Sequence, residues 1–218
     1  MTFAQYRHLS YFVVSVCTLL LSGVSQADPA PNLRSAKINF VVSGTIVAVS
    51  DGDTLTMQAT TRDRFHIRLS DLDAPEIAHA SNPYAEHGGH VEHSHRHSCP
   101  NAPAQAPGQA AGDAAAASLR ALAPLHAAAR AECYEADNYG RLVCHVFVGS
   151  TNVNLEQLRR GWGMTPSKAR WIRDPASVPA EEVARAARLG LWAHGTPLAP
   201  AHWRDRCWCD GQCADAQH

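Results

Sequence analysis

Val41-Val42-Ser43-Gly44-Thr45-Ile46-Val47-Ala48-Val49-Ser50-Asp51-Gly52-Asp53-Thr54-Leu55-Thr56-Met57 is rich in valine, isoleucine and threonine and is broken once, at Asp51-Gly52. Such a run reads as two strands joined by a tight turn. Phe65-His66-Ile67-Arg68-Leu69 continues the pattern as a third strand, with Phe65, Ile67 and Leu69 on one face and His66 and Arg68 on the other. Strict alternation would put Arg68 and Asp73 on opposite faces. They converge only if the chain bends after Leu69, which a strand ending before Pro75 permits. Further along, Ala131 to Phe147 reads as a hairpin. Helical patterns cover Gln109 to Leu122, ended by Pro124, then Val153 to Gly161, where a glycine follows Leu155 and Leu158, and Pro179 to Gly190. The class is α+β, and about five strands with about three α-helices describe a small β-barrel of oligonucleotide-binding (OB-fold) topology among other arrangements.

Three polar segments punctuate these elements: Asp51-Gly52-Asp53-Thr54, Arg68 followed by Asp73-Ala74-Pro75-Glu76, and Asp137-Asn138-Tyr139-Gly140-Arg141. Each alone is an ordinary turn, since aspartate, glycine and proline are turn residues. Together and in this order they form a hydrolytic set. Asp53 and Asp73 offer hard oxygen ligands of the kind calcium takes, without the soft atoms that select zinc. Arg68 and Arg141 offer planar forks for phosphate oxygens, and Glu76 is a carboxylate able to take a proton from water.

From about Val41 to Trp192, these residues and their spacing resemble the staphylococcal nuclease (thermonuclease) family. The resemblance implies a five-stranded OB-fold barrel and calcium-dependent hydrolysis of DNA or RNA phosphodiesters, with 5′-oxygen departure. By the same resemblance, Asp53, Asp73 and the Ala74 backbone carbonyl hold the metal and Asp51 acts on it through water. Arg68, Glu76 and Arg141 are then catalytic, and Tyr139 lies near a substrate phosphate. Two departures stand out. Ala74 replaces a threonine whose carbonyl is the part used, and Asn138 replaces a lysine, which bears on substrate contact rather than chemistry.

Outside this set, Arg7, the apolar run Tyr11 to Val24 and Ser25-Gln26-Ala27 read as a secretory signal peptide, residues 1–27. The run is shorter than the roughly 20 apolar residues of a membrane span. Its removal takes away Arg7 and no acid, so the formal charge moves from −1 to −2. A near-neutral chain carries no polycationic coat for nucleic acid, so phosphate recognition must be local. The expected organisation is a linker at 28–38, the nuclease-like domain at 39–197 with a His-rich insertion at 77–107, and a Cys-rich tail at 198–218. The expected setting is periplasmic or secreted, with no membrane contact after cleavage, no stable protein partner and a monomeric state.

Cys99, Cys133, Cys144, Cys207, Cys209 and Cys213 remain after cleavage, an even number that favours disulfides. Cys133 and Cys144 flank the Arg141 turn and can face each other across the hairpin, either bridged or as reduced core thiols. The tail favours disulfide closure over metal binding. Six of the histidines after residue 27 lie in the insertion, at His79, His87, His90, His93, His95 and His97, with Cys99 close behind. Imidazoles and a thiolate suit zinc or nickel, so His87, His90, His93, His95 and His97 form a possible second metal site, against the alternative of a solvated low-complexity loop. Two further function classes stay open: a non-catalytic nuclease-like binding module, and a periplasmic metal-binding protein acting through the histidine loop.

Overall fold

The computed structural model describes residues 37–86 and 99–213, and five strands close into a barrel. They are β1 (Phe40–Val49), β2 (Thr54–Ala59), β3 (Arg64–Leu69), β4 (Ala128–Ala136) and β5 (Leu142–Val148), with a two-residue strand β6 (Thr151–Asn152) at the edge. β1 is long enough to pair antiparallel with both β2 and β4, and an irregularity between Ile46 and Ala48 lets it bend from one to the other. The order β3-β2-β1-β4-β5 is closed by a parallel pairing of β3 with β5, in which Arg68 lies opposite Val143. That closure brings the ends of β3 and β5, and with them Arg68 and Arg141, to one rim of the barrel.

Alternation fills the interior. Ile46, Leu55, Met57, Ile67, Leu69, Ala131 and Val146 are fully or almost fully buried. Three longer helices cover the barrel, α2 (Gly112–Leu122), α3 (Val153–Arg159) and α4 (Ser177–Ala186), at the places expected from the sequence. Two one-turn helices not anticipated there, α1 (Pro83–Glu86) and α5 (Pro200–Trp203), bring the number of α-helices among the described residues to five. No described helix is long and apolar enough to cross a membrane.

Cys133 and Cys144, direct partners across β4 and β5, form a disulfide inside the core. The remaining bridges join Cys99 to Cys209 and Cys207 to Cys213. Cys99 is therefore a disulfide partner, as the even number of cysteines favoured, and not a free thiolate beside the histidines. His87, His90, His93, His95 and His97 lie outside the described residues. Next to the barrel, Ala106, Trp203, Cys207 and Trp208 build a second, smaller core against Tyr84, Leu198 and Cys213. Thus the stem of the insertion and the tail, read from sequence as separate appendages, pack on each other. Trp203 and Trp208 both donate their indole N–H to Pro107 O, at 3.2 and 2.8 Å, and Asn82 donates to Trp208 O at 2.8 Å.

Candidate active site

The turn between β1 and β2 is shaped by its own first aspartate: Asp51 Oδ1 accepts from the backbone N–H of Asp53 (2.9 Å) and Thr54 (2.7 Å). Gly52 is required for packing, because a Cβ there would meet Ala74 Cβ at 2.6 Å and Ala115 Cβ at 2.8 Å. Gln157 on α3 fastens the turn to α2 by donating to Gly52 O and Ala115 O. Asp53 is thereby buried and aimed across the barrel rim. Its Oδ2 accepts from Ala74 N–H at 2.7 Å and pairs with Arg68 Nη1 at 2.8 Å.

The bend required after Leu69 occurs at Asp71, a non-glycine residue at φ +67°. Its side chain is an internal fastening. Oδ1 accepts from Ser70 Oγ and Arg173 N–H, while Oδ2 takes Asp174 N–H, Ser177 Oγ and His145 Nε2. Burial opposes ionisation, yet the His145, Ser70 and Arg173 donors outweigh it and hold this carboxyl below its ordinary range. Such a fully satisfied buried carboxylate locks the reversal. Once the chain has turned, Asp73 Oδ1 meets Arg68 Nη2 at 2.7 Å, so one guanidinium bridges Asp53 and Asp73.

Glu76 is clamped through its backbone. Gln109 Oε1 accepts from Glu76 N–H at 3.1 Å, and Glu76 O accepts from Gln109 N–H at 2.8 Å. Helix α2 begins against the same carbonyl, where a Cβ on Gly112 would lie 2.1 Å from Glu76 O. Across the rim, Asp137 Oδ1 accepts from the N–H of Tyr139 and Arg141, and Asp137 Oδ2 accepts from Arg141 Nε at 2.7 Å. The Arg141 guanidinium lies 5.4 Å from the centre of the Tyr139 ring, which is exposed.

These residues surround one cavity of about 600 Å³, lined by Asp51, Asp53, Arg68, Glu76, Tyr139 and Arg141. Its other wall, from the insertion and the tail, was not found from sequence: His79, Tyr84, Trp208 and above all Arg204, with His66 of β3 between. Arg204 Nη2 pairs with Asp73 Oδ2 at 2.9 Å, and Nη1 donates to Glu76 Oε1 at 2.5 Å. No spacing rule could have found it, since 128 residues separate it from Glu76.

Desolvation governs the charges. Burial pushes Asp53 up to about 7 against the pull of Arg68, with Asp51 and Asp73 adding to the rise. Burial also raises Glu76, opposed by Arg204. For Asp73 the burial penalty is overcome by Arg204 and Arg68, so its carboxyl sits below the usual range. Four carboxylates, from Asp51, Asp53, Asp73 and Glu76, meet Arg68 and Arg204, while the third guanidinium at the cavity, Arg141, is paired with Asp137, which leaves an excess of acid in a poorly solvated place. An all-oxygen set with that excess fits a hard divalent cation. Among the described residues no three acidic, histidine or cysteine side chains converge as a ready ligand set, because the two guanidinium groups lie between the carboxylates.

A family model described as staphylococcal nuclease homologue matches residues 66–194. The chain belongs to the staphylococcal nuclease family. The match takes in Arg68, Asp73, Glu76 and Arg141 and ends before Arg204. A protein of Haemophilus influenzae named as an uncharacterized endonuclease is 28% identical over 161 residues, covering 73% of this chain and 71% of its own length. An uncharacterized 38.1 kDa protein of Capnoides sempervirens is 38% identical over 73 residues, 33% of this chain and 20% of that protein. A probable staphylococcal-like nuclease of Oryza sativa subsp. japonica is 32% identical over 78 residues, 33% and 19% respectively. The last two are thus matched over about a fifth of their length. The α+β class and the closed five-stranded OB-fold barrel agree with the family.

Proposed function

We propose that this nuclease-family chain hydrolyses phosphodiester bonds of DNA, RNA or both in a calcium-dependent reaction, with Glu76 as general base and Arg68 and Arg141 stabilising the phosphorane. The observation that carries the reading is the meeting of Asp53, Arg68, Glu76 and Arg141 around one cavity, with Asp73 paired to Arg68 at its edge. Asp53, Asp73 and the Ala74 carbonyl would hold the cation, with Asp51 acting through water, and the cation's contribution is neutralisation of charge on the attacked phosphate.

Glu76 takes a proton from the attacking water; burial raises its basicity relative to an exposed glutamate. Arg68 is held at the rim by Asp53 and Asp73, and its guanidinium is the group that would meet developing negative charge once those carboxylates turn to the cation. Arg141, fixed by Asp137 and Tyr139, approaches from the β5 side. The family resemblance supports departure of the 5′-oxygen and a place for Tyr139 beside a substrate phosphate.

The signal-like segment 1–27 and the paired cysteines support a periplasmic or secreted setting, where disulfides persist. The deciding experiment is incubation of the chain from residue 28 onward with DNA and with RNA, in calcium and in chelator. Cleavage in calcium that stops with chelator is the expected result. Intact DNA and RNA under both conditions would overturn the reading, as would calcium affinity unaltered in Asp53→Ala for the metal assignment.

A further inference from the structure

The residues beyond 194, outside the stretch shared with the family model, bring into the cleft a cation that the barrel does not supply. Arg204 opens a short run of π-helical turns, Arg204–Cys209. Its fork grips both oxygens of Asp73, Nη2 to Oδ2 at 2.9 Å and Nη1 to Oδ1 at 3.2 Å, and Nη1 also reaches Glu76 Oε1 at 2.5 Å. The side chain keeps 24% of its accessible surface, all that a residue lining the cavity needs to face it.

Its seat is built rather than incidental. Trp203, the preceding residue, is wholly buried in the second core and bonded to Pro107 O. Three and five residues on, Cys207 and Cys209 are tied to Cys213 and to Cys99 of the insertion. Trp203 and the Cys99–Cys209 bridge thus fix the backbone from which Arg204 reaches the cleft, and three contacts to Asp73 and Glu76 hold its side chain there.

We propose that Arg204 is a positioning residue: it holds the mutually repelling carboxylates of Glu76 and Asp73 in a fixed relation and takes Oε1 of Glu76, leaving Oε2 to receive the proton of the attacking water. The assignment rests on the nuclease reading above. Without Arg204, Glu76 keeps its backbone clamp by Gln109 but loses the partner that fixes its carboxylate, and misplacement of a reacting group by about 1 Å can cost about 10²-fold in rate.

The test compares the parent, Arg204→Ala and Arg204→Lys on a DNA substrate in calcium, with calcium affinity measured separately by calorimetry. In Arg204→Ala, kcat falls by up to about 10²-fold while KM stays within about twofold. Arg204→Lys recovers part of the loss, because it returns the charge without the fork. Millimolar guanidinium ion raises kcat of the alanine variant and not of the parent. Calcium binds Arg204→Ala at least as tightly as the parent, since a competing cation has left Asp73. Unchanged kcat overturns the assignment, and increased kcat makes Arg204 an inhibitory plug. Loss of calcium binding together with kcat, without guanidinium rescue, reduces it to a structural tie. A parent that cuts neither DNA nor RNA removes the nuclease reading itself, an outcome distinct from any result on Arg204.

Discussion

The two walls of the cleft are built by different physics. On the barrel side, Arg68, Asp53 and Arg141 stand on strands or strand turns whose register is set by main-chain pairing and a buried apolar interior. Even the reversal that delivers Asp73 is fastened by a satisfied buried carboxylate, Asp71. On the other side, Tyr84 and Trp208 belong to a small core with Trp203, the neighbour of Arg204, and one disulfide, Cys99–Cys209, with a pair of indole hydrogen bonds to Pro107 O holds the tail on the insertion. The groups proposed to carry the chemistry are placed by the fold. The group proposed to adjust it is placed by a cross-linked tail.

If this division is right, the largest effects come from the barrel wall. Arg68→Lys keeps one charge but cannot span Asp53 and Asp73 while also facing phosphate, so steady-state kinetics should show kcat lower by about 10²–10³-fold, the loss typical of one preorganised transition-state donor. A change in KM alone would demote Arg68 to substrate binding. Glu76→Gln preserves size and the contact to Arg204 yet cannot accept a proton, so a loss of at least about 10²-fold is expected with the fold intact by circular dichroism. Near-normal turnover would remove Glu76 as base.

Replacing Cys99 and Cys209 together by alanine should lower kcat by less than the roughly 10²-fold expected for Arg204→Ala, because Trp203 and Trp208 still seat the segment. The barrel, whose own bridge is Cys133–Cys144, should unfold at nearly the parent's denaturant concentration. An equal loss of barrel stability would abolish the distinction between the walls.

The smallest effect concerns pH. In the folded chain without calcium, burial pushes the Asp53 carboxyl up to about 7 from its ordinary 3.8, so the folded state binds the extra proton between those values. Stability without calcium should therefore fall as pH rises from about 4 to 7, with Glu76, also raised, acting in the same direction. Asp71 and Asp73, both depressed, act oppositely and lose their contribution only in more acidic solution. Urea midpoints across pH should show the decline flattened in Asp53→Asn; a parent and variant with parallel curves would discard Asp53 as its source.

Much of the barrel wall was legible in the chain. The β-branched run of Val41 to Met57, broken at Asp51-Gly52, and the alternation of Phe65 to Leu69 placed strands within a residue or two of β1, β2 and β3, because β-branched residues suit extended backbone and a two-residue period buries one face. The Cys133–Cys144 pair could be anticipated because both cysteines belong to one hairpin. Asp51, Asp53, Arg68, Asp73, Glu76 and Arg141 stood out through order and spacing, which record local geometry. Where each side chain would point was not recorded: that Arg68 bridges two aspartates depends on the Asp71 reversal, whose partners His145, Arg173, Asp174 and Ser177 lie 74 to 106 residues away.

By itself, the sequence determined the α+β class, the family likeness that implies the barrel, and the barrel-borne charges, all of them read from short segments, their order and their spacing. Only the tertiary structure decided that the insertion and the tail form one wall, that Cys99 pairs with Cys209 across 110 residues, and that Arg204 reaches Glu76. The physical reason is that a disulfide and an ion pair act between side-chain atoms a few ångströms apart, whatever the contour length between them, and no local pattern encodes which distant segments will share a surface.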